Sequence, residues 1–301
     1  MPQSATDRPG APPLETTGAS QADPPGARLL GAASGPKRCT ASWPAPARVR
    51  TLITLRDGGA SRGPWGRADG SAGGWNLGAR CGDDREAVIE NRRRLRDLLP
   101  SDPIWLDQIH GAAVLDADAL GTAPAMSPDP PAAAGTADAA VATRAATVLA
   151  VLTADCLPVL ICDRAASVVG IAHAGWRGLA AGVVENTLAA MRGKLGGRGA
   201  GEGGWLAWLG PAISQAAFEV GDDVLQAFAD PDPGAAEHFS RGRAPGKWQA
   251  DLFGLARRRL AACGVNEVFG GGWCTVSDAA RLYSFRRDRQ TGRMASLIWL
   301  D

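Results

Sequence analysis

Three short polar segments, each at the end of an apolar run, hold the residues best suited to chemistry. The segments are QIHG, which starts at Gln108, TADC, which starts at Thr153, and HAGWRG, which starts at His173. If these three ends meet, His110, Cys156 and His173 offer two imidazoles and a thiolate, a ligand set that suits zinc. The fourth tetrahedral position would stay open for water or substrate, which is typical of a catalytic zinc site.

The same side chains allow other interpretations, and the residues alone leave them open. Cys156 could act as a nucleophile with His173 as its base, which is the arrangement of a cysteine hydrolase. A structural zinc would need a fourth ligand, for which the candidates are Cys162 and Cys274. A cysteine in an apolar run and an isolated histidine can also simply belong to a hydrophobic core.

The elements that must position these residues follow from the periodicity of the apolar residues. Strands and helices are mixed without regular alternation, which favours an α+β fold in packed layers over a doubly wound sheet. A first helix is expected from Asp83 or Asp84 to Pro100, with Arg92, Arg93 and Arg94 on its solvated face. Strands are also predicted from Arg48 and over 103–109, 112–115, 147–153, 157–162, 167–173, 205–209 and 295–300, and helices over 179–195, 222–229 and 251–263.

Composition divides the chain into two parts. Residues 1–45 are rich in Pro, Gly, Ala and Ser, and ordering them would cost more entropy than their burial could offset. They are predicted to form a disordered extension. Residues 46–301 are predicted to form a single catalytic domain, since this length can bury a sizeable core.

Charge and hydropathy exclude two classes of partner. The chain has 32 Lys and Arg against 31 Asp and Glu, so it has no electrostatic footprint for nucleic acid. Its longest mainly apolar tract, 145–162, is interrupted by polar residues, and no uncharged span reaches the roughly 20 residues that cross a bilayer. The amino terminus lacks the pattern of a secretory signal. We therefore expect a soluble, cytoplasmic protein, whose oligomeric state the sequence leaves open.

Five segments, in this order, resemble the laccase-domain family, also called polyphenol oxidase-like or peptidoglycan editing factor proteins. They are DQIHG, TADCLPVLICD, GIAHAGWRGLAAG, LGPAISQAAFEVGDDV and YSFRRDRQTGRMASLIWL. The resemblance covers the chain from about Thr54 to Asp301. It implies an αββα-type sandwich with mixed sheets, and it places the family's zinc ligands on His110, Cys156 and His173.

The resemblance also implies an activity. Members of this family are zinc-dependent purine nucleoside phosphorylases, which convert adenosine, inosine, guanosine or methylthioadenosine and phosphate to the base and a sugar 1-phosphate. Deamination of adenosine is implied as a second activity. The alternative is a cysteine hydrolase that uses Cys156 and His173, which includes the editing of peptidoglycan precursors. Copper is not expected despite the family's name, because a chain with three histidines cannot ligate the four coppers of a laccase.

Residues near the expected ligands can be given roles as hypotheses, of which Arg56 matches a family arginine. The alternative is structural: a solvated or salt-bridged side chain for each arginine, and closure of a turn for each amide. Arg56 and Arg177 are expected to bind phosphate, which as a dianion favours fixed guanidinium donors. Asn76 and Gln108 offer amide groups for ribose hydroxyls or base edges. These four residues would complete the substrate site around the metal.

Two residues beside the expected ligands receive roles in the same way. Asp155 is a candidate proton carrier or partner of a ligand imidazole. Trp176 is a candidate to stack on the purine. Arg286 and Arg287 in SFRRD match family motifs; the alternative is that their charges only pair and hold elements together.

Overall fold

Two large β-sheets, packed face to face, form the centre of the molecule. The computed structural model describes residues 23–30, 35–120, 133–196 and 204–301. The strands are β1 (Ala27–Leu30), β2 (Arg38–Ala41), β3 (Val49–Thr54), β4 (Asp57–Ser61), β5 (Val114–Asp116), β6 (Ala139–Ala142), β7 (Leu149–Thr153), β8 (Leu157–Asp163), β9 (Val169–Ala174), β10 (Trp205–Leu209), β11 (Glu219–Gly221), β12 (Phe239–Arg241), β13 (Lys247–Ala250), β14 (Glu267–Gly270) and β15 (Met294–Leu300). The helices are α1 (Arg85–Arg96), α2 (Trp176–Ala180), α3 (Val183–Lys194), α4 (Asp222–Ala229), α5 (Leu252–Ala262) and α6 (Phe285–Asp288).

The two large sheets differ in strand direction. The first has the order β1-β2-β3-β15-β7, and all of its neighbours are antiparallel. The second has the order β14-β10-β8-β9-β6-β5; its two outer pairs are parallel and its inner pairs antiparallel. A small antiparallel sheet, β11-β13-β12, lies beside them. The sheets are therefore mixed, as expected.

Helices cover the outer faces of both sheets. Between the sheets, Ile53 and Ile298 of the first pack in one cluster with Leu160 and Trp208 of the second. On the outer face of the first sheet, Leu95 of α1 packs in a cluster with strand residues of β3 and β15. On the outer face of the second, α3 and α5 pack against β8 and β9. The layers run α, β, β, α, so the predicted α+β sandwich is confirmed.

The amino-terminal part of the sandwich was not expected. β1 and β2 lie within residues 1–45 and extend the first sheet beyond β3, and Cys39 in β2 is completely buried. The prediction of disorder is therefore wrong for residues 23–30 and 35–45, while the rest of that segment lies outside the described residues. Composition measures only local apolar content, whereas these strands gain hydrogen bonds from a distant sheet edge.

The segment 103–109 was predicted as a strand and is not one. It makes only isolated bridges, from Ile104 to Leu149 and from Asp107 to Thr136. In place of a further backbone pair, the side-chain amide of Gln108 donates to the carbonyl of Leu152 at 2.9 Å and accepts from its N–H at 2.8 Å.

The observed helix boundaries differ from the predicted ones at two places. The predicted helix 179–195 is interrupted at Gly182, whose φ of 90° separates α2 from α3. α1 begins after Asp84, whose carboxylate accepts from Ala87 N–H, but it ends at Arg96 before Pro100. By contrast, β10 and α4 coincide with the predictions for 205–209 and 222–229. Within the described ranges, no helix combines the length and apolar character needed to cross a membrane.

Candidate metal centre

Strand register brings two of the predicted ligands together. β8 and β6 both run antiparallel to β9, so the starts of β8 and β6 lie beside the end of β9. Cys156 immediately precedes β8, and His173 lies near the end of β9, where it pairs with Pro158. Asp138 immediately precedes β6 on the other side of β9, and its carbonyl accepts from His173 N–H at 2.7 Å.

Asp138 brings the third predicted ligand to the same place. Its carboxylate is completely buried and accepts hydrogen bonds from the backbone N–H groups of Ile109, His110 and Gly111, at 3.2, 2.9 and 2.7 Å. The same carboxylate lies 2.8 Å from His173 Nδ1. This bond leaves His173 Nε2 as the nitrogen that is available to a metal. His110 adopts the left-handed φ of 62°, which the three N–H bonds to one carboxylate hold in place.

The three predicted ligands converge in the folded chain. One ligand atom from each of His110, Cys156 and His173 lies within 4.8 Å of the others. The two imidazole rings meet edge to face, with their centroids 4.8 Å apart. In the described part of the chain no other His, Cys, Asp or Glu joins this group. Cys162 and Cys274, considered as a fourth ligand, therefore do not close the site; Cys274 instead accepts a hydrogen bond from Ser214.

Charge interactions couple the titration of Cys156 to that of His173. Burial raises the pKa of the Cys156 thiol, but the neighbouring imidazoles of His173 and His110 outweigh it and lower that pKa to about 6. Burial lowers the pKa of His173, but Cys156 and Asp138 outweigh it and raise that pKa to about 9. Near neutral pH the pair is therefore a thiolate next to a protonated imidazole. The thiolate is the form that ligates metals, and an ion that binds here would displace the proton of His173. Two imidazoles and a thiolate fit a transition-metal ion.

Two glycines of the HAGWRG segment allow α2 to lie against the ligands. A Cβ atom added to Gly175 would lie 2.8 Å from Cys156 Sγ and 3.1 Å from His110 Cδ2. A Cβ atom added to Gly178 would lie 2.7 Å from the carbonyl oxygen of Gly111. Only residues without a Cβ fit at these two positions while the ligands stay in place.

The three ligands lie in the wall of a cavity of about 720 Å³. Four other residues that were predicted for the site also line this cavity: Gln108, Asp155, Trp176 and Arg177. Further lining residues include Arg80, Arg92, Trp105, Asp107, Phe218, Phe285, Arg286 and Arg293.

Asp155 reaches the cavity, but both of its carboxylate oxygens are engaged. Oδ1 accepts from Thr275 Oγ1 and Oδ2 accepts from Arg286 N–H, each at 2.6 Å. Its φ of 94° places it in the left-handed region. The described contacts give Asp155 a positioning role, in which it ties α6 to the turn that precedes Cys156.

Arg56 does not line the cavity, and the expectation that it binds phosphate there is corrected. Its guanidinium is buried and donates to the carbonyl oxygens of Gly66, Arg67 and Ala279, at 2.9, 3.1 and 3.2 Å. All three nitrogens therefore have backbone partners. Arg56 holds surface loops to the first sheet.

Asn76 is likewise absent from the cavity wall, and its expected contact with ribose or base is corrected. It is completely buried. Its Oδ1 accepts from Gly78 N–H and Arg293 N–H, while Nδ2 donates to Asp83. The amide closes the loop that precedes α1.

Two functional candidates were missed by reasoning from the sequence. Asp138 precedes a strand of small residues, AAVA, where an isolated carboxylate gives only a weak signal. Arg92 was assigned to a solvated face, but its guanidinium lies 4.5 Å from the ring centroid of Trp105 and lines the cavity. The sequence did indicate this position. Val88, Arg92 and Leu95 are spaced at i, i+4 and i+7, so Arg92 lies on the face of α1 that carries these two buried apolar residues.

Solved structures of similar chains have the same fold. Protein NMB0706 of Neisseria meningitidis is 47% identical, with a TM-score of 0.75 over 88% of this chain and 99% of its own. YlmD of Geobacillus stearothermophilus is 27% identical, with a TM-score of 0.75 over 92% of this chain and 99% of its own.

Relatives of similar length are named as enzymes. Purine nucleoside phosphorylase PA4543 of Pseudomonas aeruginosa is 46% identical over 262 residues, which are 87% of this chain and 98% of the relative. Purine nucleoside phosphorylase YfiH of Escherichia coli is 44% identical over 260 residues, 86% and 96% of the two chains. A family model described as multi-copper polyphenol oxidoreductase laccase matches residues 50–301, and the chain belongs to this family.

Proposed function

We propose that this protein is a purine nucleoside phosphorylase that holds one zinc ion at His110, Cys156 and His173. Its substrates would be adenosine, inosine, guanosine or methylthioadenosine together with phosphate, and its products the base and the sugar 1-phosphate. The convergence of the three ligands in the wall of a cavity large enough for a nucleoside carries the proposal. The names of relatives 44–46% identical support it.

The phosphate ion would bind at Arg177. Arg177 is the second residue of α2, and the helix begins directly after Gly175, which lies against the ligands. Its guanidinium lies 4.4 Å from the ring centroid of Trp176. Among the described residues it has no carboxylate partner, so its charge is available to an anion. Arg286 adds positive charge, since its Nη1 donates only to the carbonyl oxygen of Glu219.

Aromatic side chains in the same cavity would hold the base and the sugar. Trp176 and Phe285 line the cavity with exposed ring surface, and Phe218 lies beneath the guanidinium of Arg286. A purine stacks favourably on such rings. Gln108 and Asp155 keep the adjoining walls in place through their backbone partners.

The zinc ion, when bound, would stabilise developing negative charge and activate water, and the latter chemistry makes adenosine deamination the proposed second activity. The chain's own contribution is to orient the donors. Asp138 holds His173 by its Nδ1, so the opposite nitrogen faces the other two ligands.

The proposed compartment is the cytoplasm. All six cysteines of the chain are free in the structure, and two of them, Cys39 and Cys162, are completely buried as thiols. A reducing compartment keeps such thiols in this state.

Product analysis tests the proposed activities directly. Zinc-loaded protein is incubated with adenosine, with and without phosphate, and adenine and inosine are separated. Adenine that forms only when phosphate is present supports phosphorolysis, and inosine that forms without phosphate supports deamination. If neither product forms at any protein concentration, the proposal is wrong.

Substitution of one ligand distinguishes this function from the cysteine hydrolase. Cys156→Ala is expected to lose both bound zinc and both activities, whereas Cys263→Ala, at the C-terminal end of α5 and outside the cavity wall, keeps them. If Cys156→Ala retains zinc at full stoichiometry but loses activity, Cys156 acts as a nucleophile with His173. A peptidoglycan-precursor hydrolase would then be the better assignment.

A further inference from the structure

Arg92 is a partly buried cation that the proposed reaction does not use. It lines the cavity, and its Nε donates to the carbonyl oxygen of Leu77 at 3.1 Å. Burial lowers its pKa to about 10, and no carboxylate counteracts this effect. Nη1 and Nη2 have no hydrogen-bond or ion-pair partner among the described residues. A charge removed from water without a counter-ion is costly, so a ligand anion is the natural partner.

Arg293 provides a second guanidinium in the same cavity wall. It lines the same cavity, and its Nη1 donates only to the backbone carbonyls of Thr291 and Gly292, at 3.0 Å each. Its Cγ lies 2.8 Å from the position that a Cβ of Gly78 would take. Arg92 and Arg293 therefore contact consecutive residues, Leu77 and Gly78, and neither is neutralised by a described carboxylate.

Arg80, the third arginine at this end, differs from these two. Its Nη1 pairs with Asp107, and its side chain is exposed. Of the three arginines at this end of the cavity, one is therefore already neutralised and two are not. The two share the wall formed by α1 and the loop before it.

This wall belongs to a different layer of the sandwich from Arg177. Trp105, which lies against Arg92, packs in the cluster on the outer face of the first sheet. Trp176, which lies against Arg177, packs on the cluster at the outer face of the second sheet. A ligand that fills the cavity therefore meets guanidinium groups from both layers.

We propose that Arg92 and Arg293 form a second anion subsite, which binds the 5′-phosphate of a purine nucleoside monophosphate while free phosphate binds at Arg177. This inference rests on the proposed function for the nucleoside and for the free phosphate. The guanidinium of Arg92 is held over the indole ring of Trp105 by its Nε bond and keeps its outer N–H groups for phosphate oxygens. The substrate class thereby widens from nucleosides to their 5′-monophosphates.

Calorimetric titration of the zinc-loaded protein in phosphate-free buffer tests the subsite without turnover, because inosine has no 6-amino group to lose and cannot be phosphorolysed there. Inosine 5′-monophosphate is expected to bind about tenfold more tightly than inosine, because it gains charge-assisted hydrogen bonds. Arg92→Gln and, separately, Arg293→Gln should remove this preference and leave the Kd of inosine unchanged. Arg93→Gln is the matched control, since Arg93 is the next residue on α1 and pairs with Glu90 on the surface. Thermal unfolding verifies that each variant is folded.

Two results would overturn the subsite. One is equal affinity of the wild-type protein for inosine and its monophosphate, which needs no variant. The other is an Arg92→Gln variant that binds free phosphate with a raised Kd but still prefers the monophosphate. Arg92 would then belong to the phosphate site assigned to Arg177. If the preference holds but no adenosine is phosphorolysed, the subsite stands and the proposed function is the part that fails.

Discussion

A single carboxylate, that of Asp138, positions two of the three candidate metal ligands. It accepts from the backbone of the loop that carries His110 and from the side chain of His173. Such a partner contacts no substrate, yet it fixes the orientation and tautomer of the His173 imidazole and the backbone position of His110. The two neighbouring arginines of α1 also differ in their surroundings. Arg92 lines the cavity, whereas Arg93 forms an ion pair with Glu90 on the surface. At the scale of the residue, the position on the helix therefore decides what the same side chain does.

Asp138→Asn tests this positioning role. An Asn side chain has one acceptor oxygen, and its NH₂ group would face N–H donors that the carboxylate now satisfies. The Kd for zinc is expected to rise about 10- to 100-fold. Competition with a chelator of known affinity measures this change.

Asp163→Asn provides the control for Asp138→Asn. Asp163 is also buried and accepts from two backbone N–H groups, those of Ser167 and Val168, but it is not in the cavity wall. This variant should unfold at a lower temperature with its zinc Kd unchanged. Equal zinc affinity of Asp138→Asn and the wild type would show that Asp138 does not orient the ligands.

At the scale of the element, the β8–β9 pair and the helix that follows it build the site. The antiparallel register places Cys156 at the start of one strand beside the end of the other. Gly175 and Gly178 then let α2 turn back over the ligands. The distances between ligands therefore depend on backbone approach as much as on the ligands themselves.

Gly175→Ala is expected to weaken zinc binding. Its φ of −62° is ordinary for alanine, so the effect comes from the methyl group, which would lie 2.8 Å from Cys156 Sγ. Gly193→Ala in α3 is the control, because nothing lies within 4 Å of its added Cβ. This second change should stabilise the helix by up to about 1 kcal/mol. Zinc content after dialysis compares the two, and full occupancy in Gly175→Ala contradicts the steric argument.

Cys39→Ser tests whether β2 belongs to the folded domain. Cys39 is completely buried, and its burial raises the pKa of the thiol to about 12. A hydroxyl group at this position lacks a partner, so the free energy of unfolding should fall by about 1–3 kcal/mol. Cys263→Ser, at a partly exposed site, should change it little. Urea unfolding makes the comparison, and equal stabilities would mean that residues 35–45 are not part of the domain.

At the scale of the whole molecule, stability and metal binding are separable. The three hydrophobic clusters fill the space between and outside the two sheets, and the ligand group lies at the ends of the strands. The cavity at these ends draws residues from both layers. The sandwich therefore provides a scaffold whose core does not depend on the ion.

Metal removal is expected to leave the fold intact. Treatment with a chelator should lower the midpoint of thermal unfolding, since a ligand that binds only the native state stabilises it by mass action. The near-ultraviolet circular dichroism of the tryptophans should persist at 25 °C. A metal-free protein that loses this signal would show that the ion holds the sandwich together.

Local sequence patterns were sufficient to predict several features of the structure. A continuous apolar run predicted β10, a helical stripe predicted α4, and polar residues at the ends of apolar runs indicated His110, Cys156 and His173. Each of these signals lies within one short segment, so periodicity or residue type can reveal it.

Other features depended on partners distant in the chain. Asp138 finds its role in a loop about 28 residues away, Arg56 is enclosed by a segment that includes Ala279, and β2 is ordered by pairing with β3. Arg92 lies on a stripe that periodicity marks as buried, but only the fold reveals that this stripe borders a cavity. Contacts between segments far apart in the chain arise when the layers pack, and residue spacing within a segment carries no record of them.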